Sequence, residues 1–317
     1  MLGAQQFRTQ FFMVPNPPKP IMMRPAPIRM PPVFGEPNTT SSTTVISAAQ
    51  TSPIAIPCAE EEEGDGRGDT LLLPLGLRRE ALPKHVAVIR GGRGGWAASK
   101  GMPASAGHEA GCRSLQGIAK LSCKWGIRVL TVFAFSSENW QRPKPEVDFL
   151  MMLFEHFFKN TLADFLREGI RLRIIGDSSK LPKSLQNSAT ELEEITRNNS
   201  GLDLLIAVSY SGRTDIVRAC QKIAEKVKHG ILKLEDITEC SVAQELETSC
   251  AGGYAYPDLL IRTSGELRLS NFLLWELAYT ELYFARSHWP DFGEYEYAEA
   301  LRAFQKRQRR FGLRTTS

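Results

Sequence analysis

Arginine, glycine and small hydroxyl residues recur together in four short segments of this 317-residue chain. The segments are residues 90–96 (RGGRGGW), 136–143 (SSENWQRP), 209–213 (SYSGR) and 262–272 (RTSGELRLSNF). Guanidinium groups, hydroxyls and uncovered backbone N–H groups are the donors that bind phosphate oxygens. The four segments together predict an anionic ligand with more than one phosphate.

Each of these segments follows an apolar run of the kind that forms a buried strand. The predicted strands are 86–89, 129–135, 171–175, 202–208 and 259–262. Helices are predicted between and after them, over 108–125, 147–168, 185–198, 216–228 and 297–310, with a shorter one from Trp96. This alternation predicts a single α/β domain with a central, mainly parallel sheet flanked by helices. Ligands bind such sheets at the carboxyl ends of the strands, where all four segments are expected to meet.

Residues 90–96 have more than one interpretation when taken alone. Four glycines and two arginines directly after a strand suit a phosphate cradle, because backbone N–H groups there can face an anion. A flexible surface loop is the alternative, since short glycine motifs have many false positives. A dinucleotide site is a third class, but the GxGxxG spacing is missing and residues 135–136 include no acid to hold a ribose.

Composition limits the class of protein. The chain is 42% hydrophobic and 23% charged with a formal net charge of +4, which is ordinary for a globular protein and too small to indicate a nucleic-acid partner. No apolar run is long enough for a membrane span, so peripheral membrane contact is the most we expect. Six cysteines without metal-ligand spacing predict buried or free thiols in a reducing compartment, with disulfides as the less favoured alternative.

The chain is expected to have three parts. Residues 1–57 are rich in Pro, Ser and Thr, and their basic residues precede the first acid, Glu36. This pattern predicts a disordered transit peptide, with plastid preferred to mitochondrion and a plain disordered tail as the alternative. Residues 58–70 are an acidic, glycine-rich linker. Residues 71–317 form the predicted folded domain.

A longer set of motifs covers residues 82–312. They are HVAVI (85–89), AGHEAG (106–111), FAFSSENWQRP (133–143), RLRIIGD (171–177), SYSGRTDI (209–216), DLLIRTSGELRLSNFLLW (258–275), WPDFGE (289–294) and QRRFG (308–312). In this order the motifs closely resemble those of the cis-prenyltransferases, the undecaprenyl and dehydrodolichyl diphosphate synthase family, in its plant plastid form.

The resemblance implies a fold, a reaction and partners. The sheet would enclose a hydrophobic tunnel, and the protein would be a homodimer. Isopentenyl diphosphate would condense with an allylic diphosphate to form a cis double bond, and Mg²⁺ would help the allylic diphosphate to leave. An active paralogue is a further partner to consider.

The resemblance also assigns residues. Arg262, Arg268 and Ser270 would bind isopentenyl diphosphate. Asn139, His108 and Ser136 would act beside the allylic diphosphate. Asn139 would be a proton-relay residue. Glu294 would support the metal. The remaining substrate-binding positions are Gly92, Arg93, Gly94, Gly95, Trp96, Ser137, Glu138, Trp140, Arg142 and Leu269.

The chain departs from the family where the family reads MDGNGRWA. Here residues 90–97 read RGGRGGWA, so the metal-binding aspartate falls on Gly91, the asparagine on Arg93 and the arginine on Gly95. Glycine has no side chain to ligate Mg²⁺, which prefers carboxylate and phosphate oxygens. Changing Gly91 to Asp together with Arg93 to Asn is therefore expected to raise turnover.

Three functions are compatible with this departure. In the first, the enzyme works, and Arg90 and Arg93 supply part of the charge neutralisation. In the second, the protein binds diphosphates as an impaired partner of an active paralogue. In the third, it couples two allylic units irregularly. The intact RTSG motif at 262–265 favours a prenyltransferase. Phe154, Phe157 and Phe158 would narrow a tunnel, which favours a short or medium product.

Overall fold

The structure is a computed structural model that describes residues 73–309. The predicted transit peptide at 1–57 and the predicted linker at 58–70 lie outside the described residues, as do both ends of the predicted domain at 71–317.

A six-stranded sheet forms the centre of the described region. The strands are β1 (His85–Ile89), β2 (Val129–Ser136), β3 (Ile170–Ile175), β4 (Leu202–Tyr210), β5 (Leu259–Arg262) and β6 (Glu281–Phe284). Their order across the sheet is β3-β4-β2-β1-β5-β6, and every neighbouring pair is parallel. All six strands therefore end at the same edge, as the sequence predicts for the phosphate-binding segments.

Seven α-helices connect and flank these strands within residues 73–309. They are α1 (Arg93–Ser99), α2 (Ala104–Trp125), α3 (Lys144–Glu168), α4 (Lys183–Thr196), α5 (Gly212–Lys228), α6 (Glu239–Glu245) and α7 (Glu294–Gln305). The long helices α2 and α3 each stop at a glycine in the left-handed region, Gly126 (φ 86°) and Gly169 (φ 69°). Glycine adopts that conformation without strain, so both helices end where the next strand must begin.

The five predicted strands are confirmed, whereas β6 and α6 are additional. The sequence of β6, ELYF, gives little signal because it is four residues long and lies only partly buried at the sheet edge. The hydroxyl of Thr238 caps α6, accepting a hydrogen bond from the N–H of Ser241 at 3.3 Å. The closing helix begins earlier than predicted, because the Glu296 carboxylate accepts the N–H of Gly293 at 3.0 Å.

The core lies on both faces of the sheet. Every residue of β1 is buried, which is typical of a central parallel strand covered on both sides. Alternate side chains divide between two clusters: Val86 and Val88 join one, while Ala87 and Ile89 join the other. Helices α2, α3, α4 and α7 contribute to the first cluster, and residues 251–277 to the second.

The apolar side of α3 is packed into the first cluster. Phe154, Phe157 and Phe158 are 6%, 7% and 2% exposed and lie with sheet residues in that core. Phe149 is only partly buried and approaches His108, with ring centroids 6.3 Å apart. The start of α3 is thus next to the predicted site, and its middle fills the space behind it.

Two further sequence expectations concern the described region. No helix between residues 73 and 309 combines the length and apolarity needed to cross a membrane. The five cysteines in this region, Cys112, Cys123, Cys220, Cys240 and Cys250, are free thiols.

Candidate active site

The loops after β1, β5 and β6 are joined by backbone hydrogen bonds at the carboxyl edge of the sheet. The N–H of Gly91 donates to the Thr263 hydroxyl at 2.9 Å, and the N–H of Trp289 donates to the Gly91 carbonyl at 3.1 Å. The N–H of Ser264 donates to the Ser287 carbonyl at 2.8 Å. The glycine-arginine loop and the RTSG motif are therefore in direct contact.

Asn271 joins the loops that follow β2, β4 and β5. Its side-chain amide donates to the Glu138 carboxylate and to the Ser211 hydroxyl, both at 2.9 Å. Its two oxygens accept backbone N–H groups, from Gly212 at 2.8 Å and Arg213 at 3.0 Å. The predicted meeting of the four segments is confirmed. Sequence reasoning quoted Asn271 within a motif but missed its connecting role.

Left-handed backbone conformations are concentrated at this edge. Among the described residues, five that are not glycine have φ between 43° and 71°: Ser209, Ser264, Ser270, Asn271 and Leu273. One is at the end of β4 and the other four follow β5. Each such residue costs on the order of 1–3 kcal/mol and persists only where its surroundings hold it, typically at functional sites.

The segment after β5 is organised around Arg262. This side chain is 5% exposed, and its Nη1 donates to the Ser270 hydroxyl at 2.8 Å and to the Arg268 carbonyl. Its Nε is buried without a partner. Burial, and then the charge of Arg268, lower the pKa of Arg262. Arg268 is exposed and pairs with Glu266, while Leu269 packs against the second core cluster.

The segment after β2 is a short 3-10 helix capped by its own side chains. Ser136 and Asn139 form a capping box, in which Asn139 Oδ1 accepts the Ser136 N–H at 3.1 Å. The indole N–H of Trp140 donates to the Ser209 hydroxyl at 2.9 Å. The amide N–H₂ of Asn139 is not used in this cap and remains a hydrogen-bond donor. Ser137 lines a small cleft of about 30 Å³ with Ser209 and Ser211.

The glycine-arginine loop turns sharply into α1. Gly92 has φ 78°, and Gly94 and Gly95 are exposed. Arg90 is 6% exposed; its Nε approaches the Phe133 carbonyl at 3.4 Å, and its Nη2 is buried without a partner. Arg93 is partly buried and lies over α2, where a Cβ on Gly111 would be 3.2 Å from Arg93 Cδ.

Trp96 fixes α1 rather than opening toward solvent. It is 9% exposed, its indole N–H donates to Asp291 at 2.7 Å, and Lys100 Nζ lies 4.5 Å from its ring centroid. Lys100 thus covers the ring, and the indole N–H ties α1 to the segment that begins at Trp289.

His108 lies among these cations. It is 7% exposed, and its Nδ1 is buried without a partner. Burial, followed by the nearby guanidinium groups of Arg93, Arg142 and Arg90, lowers the pKa of His108 to about 3. The imidazole is therefore neutral at physiological pH. Arg142 also pairs with Glu146 at 3.0 Å.

Buried polar atoms without partners point to this edge as a ligand site. Six such side-chain atoms occur among the described residues: Arg90 Nη2, His108 Nδ1, Arg173 Nε, Arg262 Nε, Ser287 Oγ and His288 Nδ1. All but Arg173 Nε belong to residues at the carboxyl ends of strands, to the loops that follow those strands, or to the first part of α2. Buried polar atoms are normally paired, so this concentration indicates that a ligand supplies the missing partners.

His288 is a site residue that sequence reasoning missed. A Cβ on Gly92 would lie 2.1 Å from His288 Nδ1, and one on Gly95 would lie 3.7 Å from His288 Cε1. The imidazole thus lies directly behind the glycine loop. The only sequence signal for His288 was its position directly before the WPDF motif, and this position does not indicate a function.

The residues present do not form a metal site. Gly91 has no ligating side chain, and a Cβ there would lie 2.2 Å from Ser264 Oγ and 2.8 Å from the Thr263 carbonyl. Between residues 73 and 309 no three His, Cys, Asp or Glu side chains are grouped to hold a metal ion. Glu294 is exposed at the start of α7, with no hydrogen-bond or ion-pair partner in the described part of the chain. A metal held by side chains at Gly91 does not fit this geometry.

The same crowding revises one expectation. A carboxylate side chain at residue 91 would require the Thr263 backbone to move. Backbone is displaced less easily than the end of a flexible side chain. Gly91→Asp is therefore expected to strain the loop instead of simply restoring activity, contrary to what the sequence suggested.

A second buried polar cluster lies near the end of β4, and its members are paired. The Tyr210 hydroxyl and the Glu247 N–H donate to Asp215 at 2.9 and 3.2 Å. The Thr248 hydroxyl donates to Glu276 at 2.7 Å. Burial raises the pKa of Asp215 to about 6 and that of Glu276 to about 7. We call Asp215 and Glu276, together with the residues that donate hydrogen bonds to them, the acid cluster.

Comparison with known proteins identifies the family. A prenyltransferase family model, described as undecaprenyl diphosphate synthase, matches residues 89–312. This match spans most of the chain and every loop of the site. The chain belongs to the cis-prenyltransferase family.

Similar proteins come from plants. Cis-prenyltransferase 4, chloroplastic, from Solanum lycopersicum is 56% identical over 252 residues, which cover 80% of this chain and 82% of that protein. The (2Z,6Z)-farnesyl diphosphate synthase CPT6, chloroplastic, of the same species is 50% identical over 236 residues, covering 74% and 81%. A lavandulyl diphosphate synthase from Lavandula x intermedia, solved with dimethylallyl diphosphate, is 42% identical with a TM-score of 0.72, covering 74% and 99%.

Family membership confirms the predicted class and leaves the residue roles as predictions. The chain is a prenyltransferase with the fold expected for the family. Members of the family generally use a divalent metal. The roles of Asn139, His108, Ser136 and Glu294 stay predictions.

Proposed function

We propose that this prenyltransferase condenses isopentenyl diphosphate with an allylic diphosphate to give a short or medium cis-prenyl diphosphate. The observation that carries the proposal is the meeting of arginines from the loops after β1, β2 and β5 at one edge of the sheet. The reaction breaks the allylic C–O bond and releases diphosphate. It joins the allylic carbon to the isopentenyl double bond, and a proton is lost from the adjacent carbon.

The segment after β5 is proposed to hold isopentenyl diphosphate. Arg262 is already oriented by the Ser270 hydroxyl and by the Arg268 carbonyl, and it carries an unpartnered Nε. Arg268 is exposed and held near its neighbour Glu266, so an incoming diphosphate can recruit its guanidinium. Buried guanidinium groups bind phosphate oxygens strongly because few water molecules compete.

The segments after β1 and β2 are proposed to hold the allylic diphosphate. Arg93 and Arg142 supply charge, Gly92, Gly94 and Gly95 allow close approach, and Ser136 to Trp140 form the opposite wall. Asn139 is proposed to orient the isopentenyl unit through its amide N–H₂, because its oxygen is taken by Ser136. This hydrogen bond to the substrate would support the proton relay that is proposed for Asn139.

Mg²⁺ is the proposed cofactor, since members of the family generally use a divalent metal, and it would supply neutralising charge to the leaving group. No carboxylate at residue 91 is available to hold it, and Glu294 stands alone on the surface. Glu294 therefore remains a proposed metal-supporting residue whose test is the metal dependence of a Glu294→Gln variant. If that dependence is unchanged, the assignment is wrong.

A short or medium product is supported by the packing of α3. Phe154, Phe157 and Phe158 occupy the space between this helix and the sheet, where the family's hydrophobic tunnel is proposed to run. Three aromatic rings in that space leave little length for a growing chain. The relative named as a farnesyl diphosphate synthase supports the same product class.

A second reaction is favoured by a specific observation. Residue 91 cannot contribute a carboxylate, and the solved relative named as a lavandulyl diphosphate synthase holds dimethylallyl diphosphate. Irregular coupling of two allylic diphosphates is therefore the second candidate. An impaired homologue that acts as the partner of an active paralogue is the non-catalytic alternative.

Plastid localisation is supported by the relatives that carry the name chloroplastic. We propose that the protein works as a homodimer, and a paralogue partner is the alternative assembly. Neither a nucleic acid nor a membrane-spanning segment has a place in the proposed function.

A product assay tests the proposal. Full-length protein is incubated with labelled isopentenyl diphosphate, Mg²⁺ and one of several allylic diphosphates, and products are read by chain length and double-bond geometry. A cis product of short or medium length is the expected result. Product from an allylic diphosphate alone would support irregular coupling, and no product with any primer would support the non-catalytic alternative.

A further inference from the structure

Arg90 is a buried guanidinium without an acidic partner. It is 6% exposed, its Nη2 bonds to nothing, and its one hydrogen bond, to the Phe133 carbonyl, is long at 3.4 Å. Within residues 73–309 neither Arg90 nor Arg93 forms an ion pair. Desolvating a guanidinium without a counter-charge is strongly unfavourable. Proteins therefore rarely retain such a group unless a ligand supplies the counter-charge.

Three guanidinium groups approach one another at this place. Burial, and then the charges of Arg90 and Arg142, lower the pKa of Arg93 to about 9. Burial lowers that of Arg90 to about 10. Both groups nevertheless stay charged at pH 8. The carboxylate that acts on Arg93 is that of Glu146, and it is engaged with Arg142. We call Arg90, Arg93 and Arg142 the arginine cluster.

The cluster occupies the place where the family carries its metal-binding aspartate. A dication would be repelled by three nearby positive charges, and the Gly91 Cβ position is filled by Ser264 and Thr263. A diphosphate would be attracted by these charges, and its oxygens would pair with the unpartnered donors. Fixed guanidinium groups stabilise the negative charge of a departing diphosphate just as a metal does.

We infer that the arginine cluster binds the diphosphate group of the allylic substrate without a divalent metal. The inference rests on the proposed function for the identity of the substrate. It goes further in assigning Arg90 to the site and in making diphosphate capture independent of the metal that the family uses.

Binding in the absence of metal tests the inference. Isothermal titration calorimetry of the full chain with inorganic pyrophosphate and with dimethylallyl diphosphate is carried out in excess EDTA. Saturable binding of both ligands is expected. Arg93→Gln should weaken binding by about 10- to 100-fold, the range for a hydrogen bond to a charged group. Binding that requires Mg²⁺ would overturn the inference.

Stability separates a ligand-binding role of Arg90 from a structural one. Arg90→Leu removes an unpaired buried charge and should raise the Tm of the ligand-free protein by about 2–4 °C, while it abolishes the stabilisation by pyrophosphate. A lower Tm with undiminished pyrophosphate binding would show that Arg90 is structural. Arg173→Leu is the matched control, because Arg173 also has a buried, unpartnered Nε but lies in β3. It should leave pyrophosphate affinity unchanged.

The two proposals fail in different ways. Metal-free pyrophosphate binding without any prenyl product would leave the inference standing and overturn the proposed function. Product formation by a protein that binds diphosphate only with Mg²⁺ would do the reverse.

Discussion

The arginine cluster and the acid cluster are both buried and ionisable, and they differ in how their polar atoms are partnered. Asp215 and Glu276 each accept hydrogen bonds from neighbouring side chains or backbone. Arg90 and the adjacent His108 each keep a buried nitrogen without any partner. Completed pairing indicates a structural role, whereas missing pairing indicates a ligand. The comparison thus separates two groups of residues that share burial and perturbed pKa values.

Breaking the pairing of the acid cluster should have the largest effect on stability. Asp215→Ala leaves the Tyr210 hydroxyl and the Glu247 N–H buried without an acceptor, which should lower the free energy of unfolding by about 2–4 kcal/mol. Asp215→Asn keeps an acceptor oxygen and is the control. Denaturant unfolding measures both variants. Equal losses would show that charge, and not hydrogen bonding, holds this cluster.

The charge of Glu276 should limit stability at high pH. Burial raises its pKa from the ordinary 4.5 to about 7, so the native protein holds a proton that the unfolded chain releases between these values. Stability therefore falls as pH rises through this window. Glu276→Gln should raise the free energy of unfolding by about 1–3 kcal/mol at pH 8 and change it little at pH 5. A gain that is equal at both pH values would contradict this assignment.

The glycine loop should resist a side chain at residue 91. Gly91→Asp places its Cβ against the Thr263 carbonyl, so we expect a loss of about 1–2 kcal/mol in unfolding free energy and no gain in turnover. Gly94→Asp is the matched control for thermal unfolding alone, because nothing lies within 4 Å of a Cβ there. Thermal unfolding and the product assay are the measurements. A more active Gly91→Asp protein would show that the loop opens to admit a metal ligand.

Diphosphate binding should raise the pKa of His108. Burial and the neighbouring arginines hold its pKa near 3, and an anion on those arginines acts in the opposite direction and raises that pKa. The imidazole is neutral near pH 6 in the free protein, and its titration should move to higher pH in the pyrophosphate complex. Cys112, Glu146, Glu109 and Arg113 are further titratable groups near this cluster.

NMR of the imidazole C–H signals measures this change, with His108→Asn used to assign the signal among five histidines. The variant should bind pyrophosphate about 3- to 10-fold more weakly at pH 6, the loss of about one hydrogen bond. A His108 signal that is unchanged by pyrophosphate would assign the residue to packing against Phe149.

The sequence predicted the sheet well because its strands are nearly uniform in chemistry. The bounds of β5 match the prediction, and β1 to β4 differ by one or two residues at their ends. It missed β6, where half-burial at an edge allows mixed polar and apolar residues. Helix α6 was missed because its start depends on a cap at Thr238, a local signal that many loops share.

The sequence predicted which loops meet but not which atoms are satisfied. The motifs placed Arg262 and Ser270 together, and the structure confirms their hydrogen bond. The unpartnered nitrogens of Arg90 and His288 depend on burial by distant parts of the chain, so no local pattern could reveal them. The crowding at Gly91 likewise comes from Thr263 and Ser264, more than 170 residues away.

The position of β1 in the sheet has a consequence for how the protein folds. Its neighbour β5 lies far along the chain, with Val86 paired to Leu259, and the contact between Gly91 and Thr263 spans 172 residues. Contacts between such distant residues form slowly, because a long stretch of chain must be ordered first. Until β5 arrives, β1 has an unpaired apolar edge that can join other chains. A chain cut short before residue 259 would have an open sheet and no site, so folding quality and catalytic competence depend on the same late event.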